Sequence, residues 1–255
     1  RRFVQRMAQG QREPGDGPAM QRLREHYLHM AEHACDTVFP GRRHLRDDGE
    51  QRAVSECDHK EKALQWLDQH RGSRPAPVEA AHDGGLLWHA ARLPRELGFH
   101  SSIRGYDSSA NVALEKGVSA SRQLEDPSLT RLNLMNLAMG KWRLGQLRDA
   151  VGLLEEAVGL SRQMADEYSE VECQARLGQA YSSLGELEYA LRLSQEVSRR
   201  AQELCIPRLD GSSLSMLRLI QVRLGRLEEA KESAARAVAI FDSIEEIQLS
   251  VTAVS

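Results

Sequence analysis

Leu144-Gly145-Gln146-Leu147, Leu184-Gly185-Glu186-Leu187 and Leu224-Gly225-Arg226-Leu227 are three copies of L-G-x-L whose glycines stand 40 residues apart. Each glycine is followed five residues later by an alanine (Ala150, Ala190, Ala230), and a weaker copy with Gly105 and Ala110 lies one period upstream. A fixed period in this range marks an array of stacked supersecondary units, each burying its core against its neighbours. Glycine ends the first helix of a unit because it accepts positive φ without a Cβ penalty. The alanine is small enough for the second helix to lie close to the first.

The period predicts an all-α fold with helix pairs at 129–144 and 147–164, 169–184 and 187–204, and 212–224 and 227–244, after a weaker pair at 86–103 and 108–124. Leu137, Leu177 and Leu217 share one phase of the first helix and should fill the space between paired helices. Pro127 and Pro207 fall between units, where a helix must stop, and Asp126 and Asp210 read as turn residues at equivalent places. Upstream, apolar spacing predicts helices over Met20–Val38 and Glu61–His70 and another from Val78, broken by Pro40-Gly41 and by residues 72–77. The expected division is an N-terminal helical region over 1–85 and a repeat region over 86–255. Within the latter, 86–125 is the weak unit, 128–165, 168–205 and 211–245 are clear, and a further helix starts over 246–255.

Composition narrows the function classes. The net charge of -3 gives no basic field for nucleic acid. Cys35, Cys57, Cys173 and Cys205 lack CxxC spacing, and a chain of 255 residues needs no disulfide staples, so reduced thiols in a cytoplasmic protein are expected. There is no run of 18 apolar residues, and no membrane partner is expected. The chain reads as a piece of a larger protein. It holds no phosphate-cradling G-x-x-x-x-G-K-[ST], no G-x-S-x-G elbow and no helix-turn-helix reader. No enzyme, no cofactor and no direct nucleic-acid contact are therefore expected.

Leu177-Gly178, Tyr181, Gly185 and Ala190 resemble the tetratricopeptide repeat, as do Leu137-Ala138, Gly145, Ala150, Leu154 and Ala157 in one flanking unit and Leu217, Gly225, Ala230, Ala234 and Ala237 in the other. Lys141 and Gln221 stand where the motif has Tyr, and Arg218 where it has Gly. The usual period is about 34 residues, so here each helix gains nearly one turn, on the order of 5 Å. The resemblance implies a right-handed superhelical solenoid. Two upstream stretches, Arg22-Leu-Arg-Glu-His-Tyr-Leu-His-Met-Ala31 and Ala63-Leu-Gln-Trp-Leu-Asp68, and then Arg104-Gly105-Tyr106, resemble actinobacterial regulators of the AfsR type. In that family such segments join an NB-ARC (STAND) ATPase and its winged helix to a repeat arm. Ser73-Arg-Pro-Ala-Pro77 departs from the continuous helix found there.

The resemblance implies a ligand- or partner-sensing arm of a transcriptional regulator of secondary metabolism (antibiotic biosynthesis). Its partners would be a small-molecule or peptide effector and the ATPase and DNA-binding domains of the full-length regulator. A signalling-peptide receptor of the helical-bundle-plus-repeat type and a protein–protein scaffold are the alternatives.

The family's concave phase falls on Leu132, Met135, Asn136, Met139, Trp142 and Arg143 in the first clear unit. It continues through Arg176, Gln179 and Ser183 in the second and Met216, Leu219 and Arg223 in the third. Leu132, Met135, Met139 and Trp142 form an apolar stripe at helical spacing, which either packs on a neighbouring helix or floors a groove flanked by Arg143, Arg176 and Arg223. Asn136 stands where peptide-binding repeats hold a ligand backbone, by the resemblance only. His26, His29 and His33 share one helix face, but with no second tightly spaced ligand pair a plain helix is expected and no metal site.

Overall fold

The 40-residue period contains a 20-residue half-period in the computed structural model, which describes residues 16–38, 59–70, 75–94 and 108–254. Left-handed backbone (positive φ) occurs at Gly85, Glu125, Gly145, Ala165, Gly185, Cys205 and Gly225. At each, the left-handed residue donates to the carbonyl three back, and the next residue to the carbonyl five back. At Gly185 these bonds are Gly185 N to Ser182 O at 3.2 Å and Glu186 N to Tyr181 O at 3.0 Å. The pair of bonds is the Schellman closure of a helix C-terminus, which satisfies carbonyls that would otherwise be orphaned. Gly105, the marker of the weak copy, lies outside the described residues.

Between these turns stand the helices. They are α1 (Asp16–Val38), α2 (Lys60–Gln69), α3 (Pro75–Asp83), α4 (Ser108–Gln123), α5 (Pro127–Arg143), α6 (Leu147–Gln163), α7 (Glu167–Leu184), α8 (Leu187–Glu203), α9 (Pro207–Arg223) and α10 (Leu227–Val254), with a further helical stretch over 87–94. Helices of 17 residues (α5, α6, α8 and α9) are about 25 Å long. No strand occurs among the described residues.

Helix starts follow local chemistry. Asp126 Oδ1 accepts the Leu129 amide at 2.9 Å, and Asp166 Oδ1 accepts the Ser169 amide at 3.0 Å, so both cap an N-terminus. The third copy has Ile206 instead, with Pro207 at the first helical position, where the missing N–H is no loss. Asp210 is therefore not a turn residue. It is buried inside α9 and accepts from Ser198 Oγ at 2.5 Å; its equivalent one period back is Glu170, not Asp126. The helices also begin earlier than the sequence pattern suggests, at Glu167 and Pro207. Nor does a new helix begin at 246. The residues matching Asp126-Pro127 and Ile206-Pro207 are Glu246-Ile247, neither a cap nor a proline, and α10 runs through them to Val254.

The chain divides into two compact units, Arg1–Asn136 and Leu137–Ser255, with the boundary inside α5. In the first unit, Leu28 and Ala31 of α1, Val78 of α3, Leu93 and Ala113 share one core. The weak repeat thus packs into the N-terminal helices. Met30, Ala34, Cys35 and Val38 of α1 bury Ala63 and Leu67 of α2, so the two stretches that carry the regulator resemblance lie against each other. Trp66 stacks on His70 at 4.2 Å and meets Tyr27 at 5.4 Å. Arg92 and Glu32 form a largely buried ion pair. A Cβ on Gly117 would sit 2.8 Å from Pro94 Cγ, which fixes glycine at that crossing.

In the second unit each helix from α6 to α10 packs on the next, and α7 also touches α9. Leu214, Leu217 and Ile220 of α9 form the core between Ala190 and Leu191 of α8 and Ala237 of α10. A three-helix network adds polar ties. Glu170 receives Arg162 Nε at 2.8 Å from α6 and Arg200 at 3.1 Å from α8. Burial opposes the Glu170 carboxylate, but these two guanidiniums prevail and hold its pKa below the ordinary value.

Gly185 and Ala165 make a matched test of the turns. Gly185→Ala should lower stability by about 1 kcal/mol, because alanine meets a left-handed φ of 99°. Ala165→Gly relieves the same strain at a φ of 53° and should be neutral or stabilising. Urea unfolding of both variants checks the pair; a loss of stability in Ala165→Gly would refute the strain.

Candidate functional site

The first helices of successive pairs expose matching stripes. On α7 the stripe is Tyr168, Glu172, Arg176, Gln179 and Ser183, and one period later on α9 it is Arg208, Ser212, Met216, Leu219 and Arg223. Spacings of three and four keep each set on one side of its helix. Between them lies a cleft of about 190 Å³. Ala175, Ile206, Leu209 and Met216 supply its apolar surface, and Tyr168, Glu172, Gln179 and Ser212 its rim. Arg176 and Arg208 both border it, and neither guanidinium is held in an ion pair among the described residues. An apolar floor beneath two available guanidiniums suits a ligand that is apolar on one side and carries a carboxylate or phosphate on the other.

The structure sorts the residues expected from sequence. Arg176, Gln179 and Met216 come together in this cleft. Trp142 Nε1 donates to Ser183 Oγ at 2.7 Å, and Ser183 Oγ donates to the Gln179 carbonyl at 3.0 Å, so both side chains tie α5 to α7. Arg223 donates to the Ser182 carbonyl at 2.6 Å and to Ser182 Oγ at 3.2 Å. That places a cation at the C-terminus of α7, where the helix dipole favours it, and commits Arg223 to joining repeats. Leu219 and Arg143 are exposed, and Met139 is half-buried. Leu132, Met135 and Asn136 belong to the first unit; Leu132 is buried and the other two are half-buried. Leu132 thus serves packing.

Of the cleft residues that sequence reasoning misses, Tyr168, Arg208 and Leu209 escape because the apolar pattern leaves the first turns of α7 and α9 outside the helices. Pro207 is the available signal, since proline favours the first helical position.

Tyr181 marks the opposite side of α7. Its hydroxyl donates to Glu155 Oε1 at 2.7 Å, and its ring meets Tyr189 edge-on at 4.5 Å. The Glu155 hydrogen bond, with burial second, pushes the phenol pKa up to about 12. A raised phenol pKa contributes stability below pH 10 that is lost as pH climbs from 10 towards 12. Titration followed by tyrosinate absorbance should show a late-ionising tyrosine, and Glu155→Gln should bring it back towards 10. An unchanged titration in that variant would refute the assignment.

The sequence suggests no Ser/His/Asp arrangement, yet one exists in the first unit. His82 Nε2 lies 3.3 Å from Ser119 Oγ, and His82 Nδ1 lies 3.4 Å from Asp83 Oδ1. It lacks the parts that make a nucleophile. Both contacts are long, Asp83 is exposed, and Ser119 sits mid-helix in α4, where backbone amides are spent on the helix and form no oxyanion hole. Among the described residues no group of three or more His, Cys, Asp or Glu is placed to hold a metal ion. His44 and Cys57, and with them Arg104 and Tyr106, lie outside the described residues. No described helix is long and apolar enough to cross a membrane.

The fold is that of known repeat proteins. A kinesin-light-chain-type protein of Podosopora anserina with nearly identical TPR-like repeats matches in two crystal structures. One of them, a variant with methionine in place of a glutamine, has a TM-score of 0.52 at 19% identity, over 72% of this chain and 94% of that one. The other has a TM-score of 0.50 at 19% identity, over 71% and 94%. The crystal structure of MamA aligns with a TM-score of 0.46 at 17% identity, over 73% and 91%. No protein-family model matches the chain, and no curated protein matches it. The architecture is therefore the all-helical, tetratricopeptide-like repeat.

Proposed function

We propose that this tetratricopeptide-like array is a binding arm without chemistry of its own, and that the cleft between α7 and α9 takes an amphipathic segment bearing a carboxylate. The observation that carries the reading is the pair Arg176 and Arg208 above the apolar floor made by Met216, Leu209 and Ile206. Guanidinium forks bind carboxylates bidentately, and a flexible Met adapts to varied apolar groups. A protein segment fits better than a free metabolite, because the stripes continue along both helices past the cleft, to Ser183 and Leu219. In a regulator of the AfsR type the arm would be the sensor. Occupancy would bias its equilibrium with the ATPase core through different affinities for the off and on states, and so control secondary-metabolite genes. The Arg22–Ala31 and Ala63–Asp68 stretches support that context, as does their shared core.

Thermal unfolding of the chain against amphipathic peptides and small carboxylates tests the reading. A peptide that raises Tm, with the rise lost on Met216→Glu, supports it. A panel in which nothing shifts Tm, or a shift that survives Met216→Glu, overturns the cleft as the site.

A further inference from the structure

In the second unit two grooves, one period apart, share a frame and differ in filling. In the first, between α6 and α8, the Tyr181 ring of α7 meets Tyr189 of α8 edge-on at 4.5 Å, and its hydroxyl donates to Glu155 of α6 at 2.7 Å. Two phenol rings thus occupy the space above α7. One period on, Gln221 replaces Tyr181, Glu229 replaces Tyr189, Ser233 replaces Leu193 and Gln195 replaces Glu155. Repeats stack on their neighbours in a recurring geometry, so the backbone frame persists while the aromatic filling is gone. A groove of about 290 Å³ lies there, between α8 and α10 and over α9. Leu214 and Leu217 of α9 make its apolar floor. Small-molecule sites start at roughly 300 Å³, so the groove suits one small ligand.

The walls carry charge of both signs. Arg199 is committed to Glu196 and Glu203. Ser233 Oγ and the Gln221 amide share a hydrogen bond at 2.8 Å, and Ser198 Oγ donates to Asp210. That leaves Glu229, Glu232 and Arg236, none of which is held in an ion pair among the described residues. Glu232 and Arg236 stand one turn apart on α10, a spacing at which opposite charges stabilise a helix by meeting, yet here they do not meet. Two carboxylates and a guanidinium beside a vacated aromatic seat match a molecule with a ring, an ammonium and a carboxylate.

We propose that the α8–α10 groove binds a free aromatic α-amino acid, L-tyrosine by preference. Its ring lies over Leu214 and Leu217, in the seat that Tyr181 and Tyr189 fill one period earlier. Glu229 and Glu232 accept its ammonium, and Arg236 donates to its carboxylate. Gln195, in the place of Glu155, accepts its phenol hydroxyl. No residue lines both this groove and the α7–α9 cleft, so the two proposals stand or fall separately.

Isothermal titration calorimetry of the 255-residue chain with L-tyrosine should show saturable binding. 3-(4-Hydroxyphenyl)propionate, which lacks the ammonium, should bind at least about tenfold more weakly, the loss expected for one charge-assisted contact. The double variant Glu229→Gln, Glu232→Gln should cause a loss of the same size with unchanged far-UV circular dichroism, since both side chains are exposed. The triple variant Gln221→Tyr, Glu229→Tyr, Ser233→Leu copies the filled groove and should abolish binding. Met216→Glu, in the other cleft, should leave it intact. Absence of saturable binding by L-tyrosine, binding that survives either groove variant, or equal binding of the propionate overturns the proposal. So does a loss on Met216→Glu, which would move the amino acid to the α7–α9 cleft.

Discussion

Ile220→Ala should lower the stability of the second unit by about 3 kcal/mol. Ile220 is fully buried in the core that joins α8, α9 and α10. Removing its branched side chain forfeits the transfer free energy of the lost methyl groups and leaves a cavity that regular helices on either side cannot collapse into. Ile220→Val removes one methylene and should cost about 1 kcal/mol. Urea unfolding followed by far-UV circular dichroism measures both. A loss below about 1 kcal/mol for the alanine variant would mean that this core is loosely packed. Repeat arrays gain most of their stability at nearest-neighbour interfaces, so the loss should concentrate on α8 to α10 and leave α1 and α2 protected in hydrogen exchange.

The double variant Arg176→Glu, Arg208→Glu should weaken binding of a carboxylate-bearing peptide at the α7–α9 cleft by at least about 100-fold. Each charge-assisted hydrogen bond contributes about 1.5–3 kcal/mol, and reversal adds repulsion to the loss. Both side chains are exposed and make no ion pair among the described residues, so the fold should tolerate the change. Arg192→Glu on α8, whose guanidinium lies 5.9 Å from the Tyr189 ring and away from the cleft, serves as the control and should leave affinity unchanged. Equal losses in the control and the double variant would show long-range charge at work instead of a site.

The architecture was legible because it repeats. L-G-x-L at a constant interval fixes where the first helix of each pair ends, and Gly145, Gly185 and Gly225 are all left-handed as the motif requires. The other half of the punctuation was hidden. Glu125, Ala165 and Cys205 adopt the same left-handed backbone at the same interval, yet share no chemistry that a sequence could show. Their turns are imposed by packing, and tertiary context overrides residue preference there. Helix starts are obscured for a related reason. Asp126 and Asp166 act as caps, but Ile206 replaces them in the third copy, so Asp210 draws the expected boundary too far along.

The candidate site was half legible. Arg176, Gln179 and Met216 follow from the phase of the first helix and meet in one cleft. Arg208 required the correct start of α9. The roles of Trp142, Ser183 and Arg223 could not be read, because an exposed polar residue that grips the neighbouring repeat has the same sequence phase as one that grips a ligand.

Glycine occupies the left-handed position within each of the last three pairs, and a residue with a side chain occupies it at the joints Glu125, Ala165 and Cys205. A side chain in that conformation costs about 1–2 kcal/mol, so strain collects at the joints and spares the hairpins. The array is perforated along these lines. When it opens it should part between hairpins and keep each hairpin whole, and lengthening or shortening it by one pair would cut where the chain is already under tension.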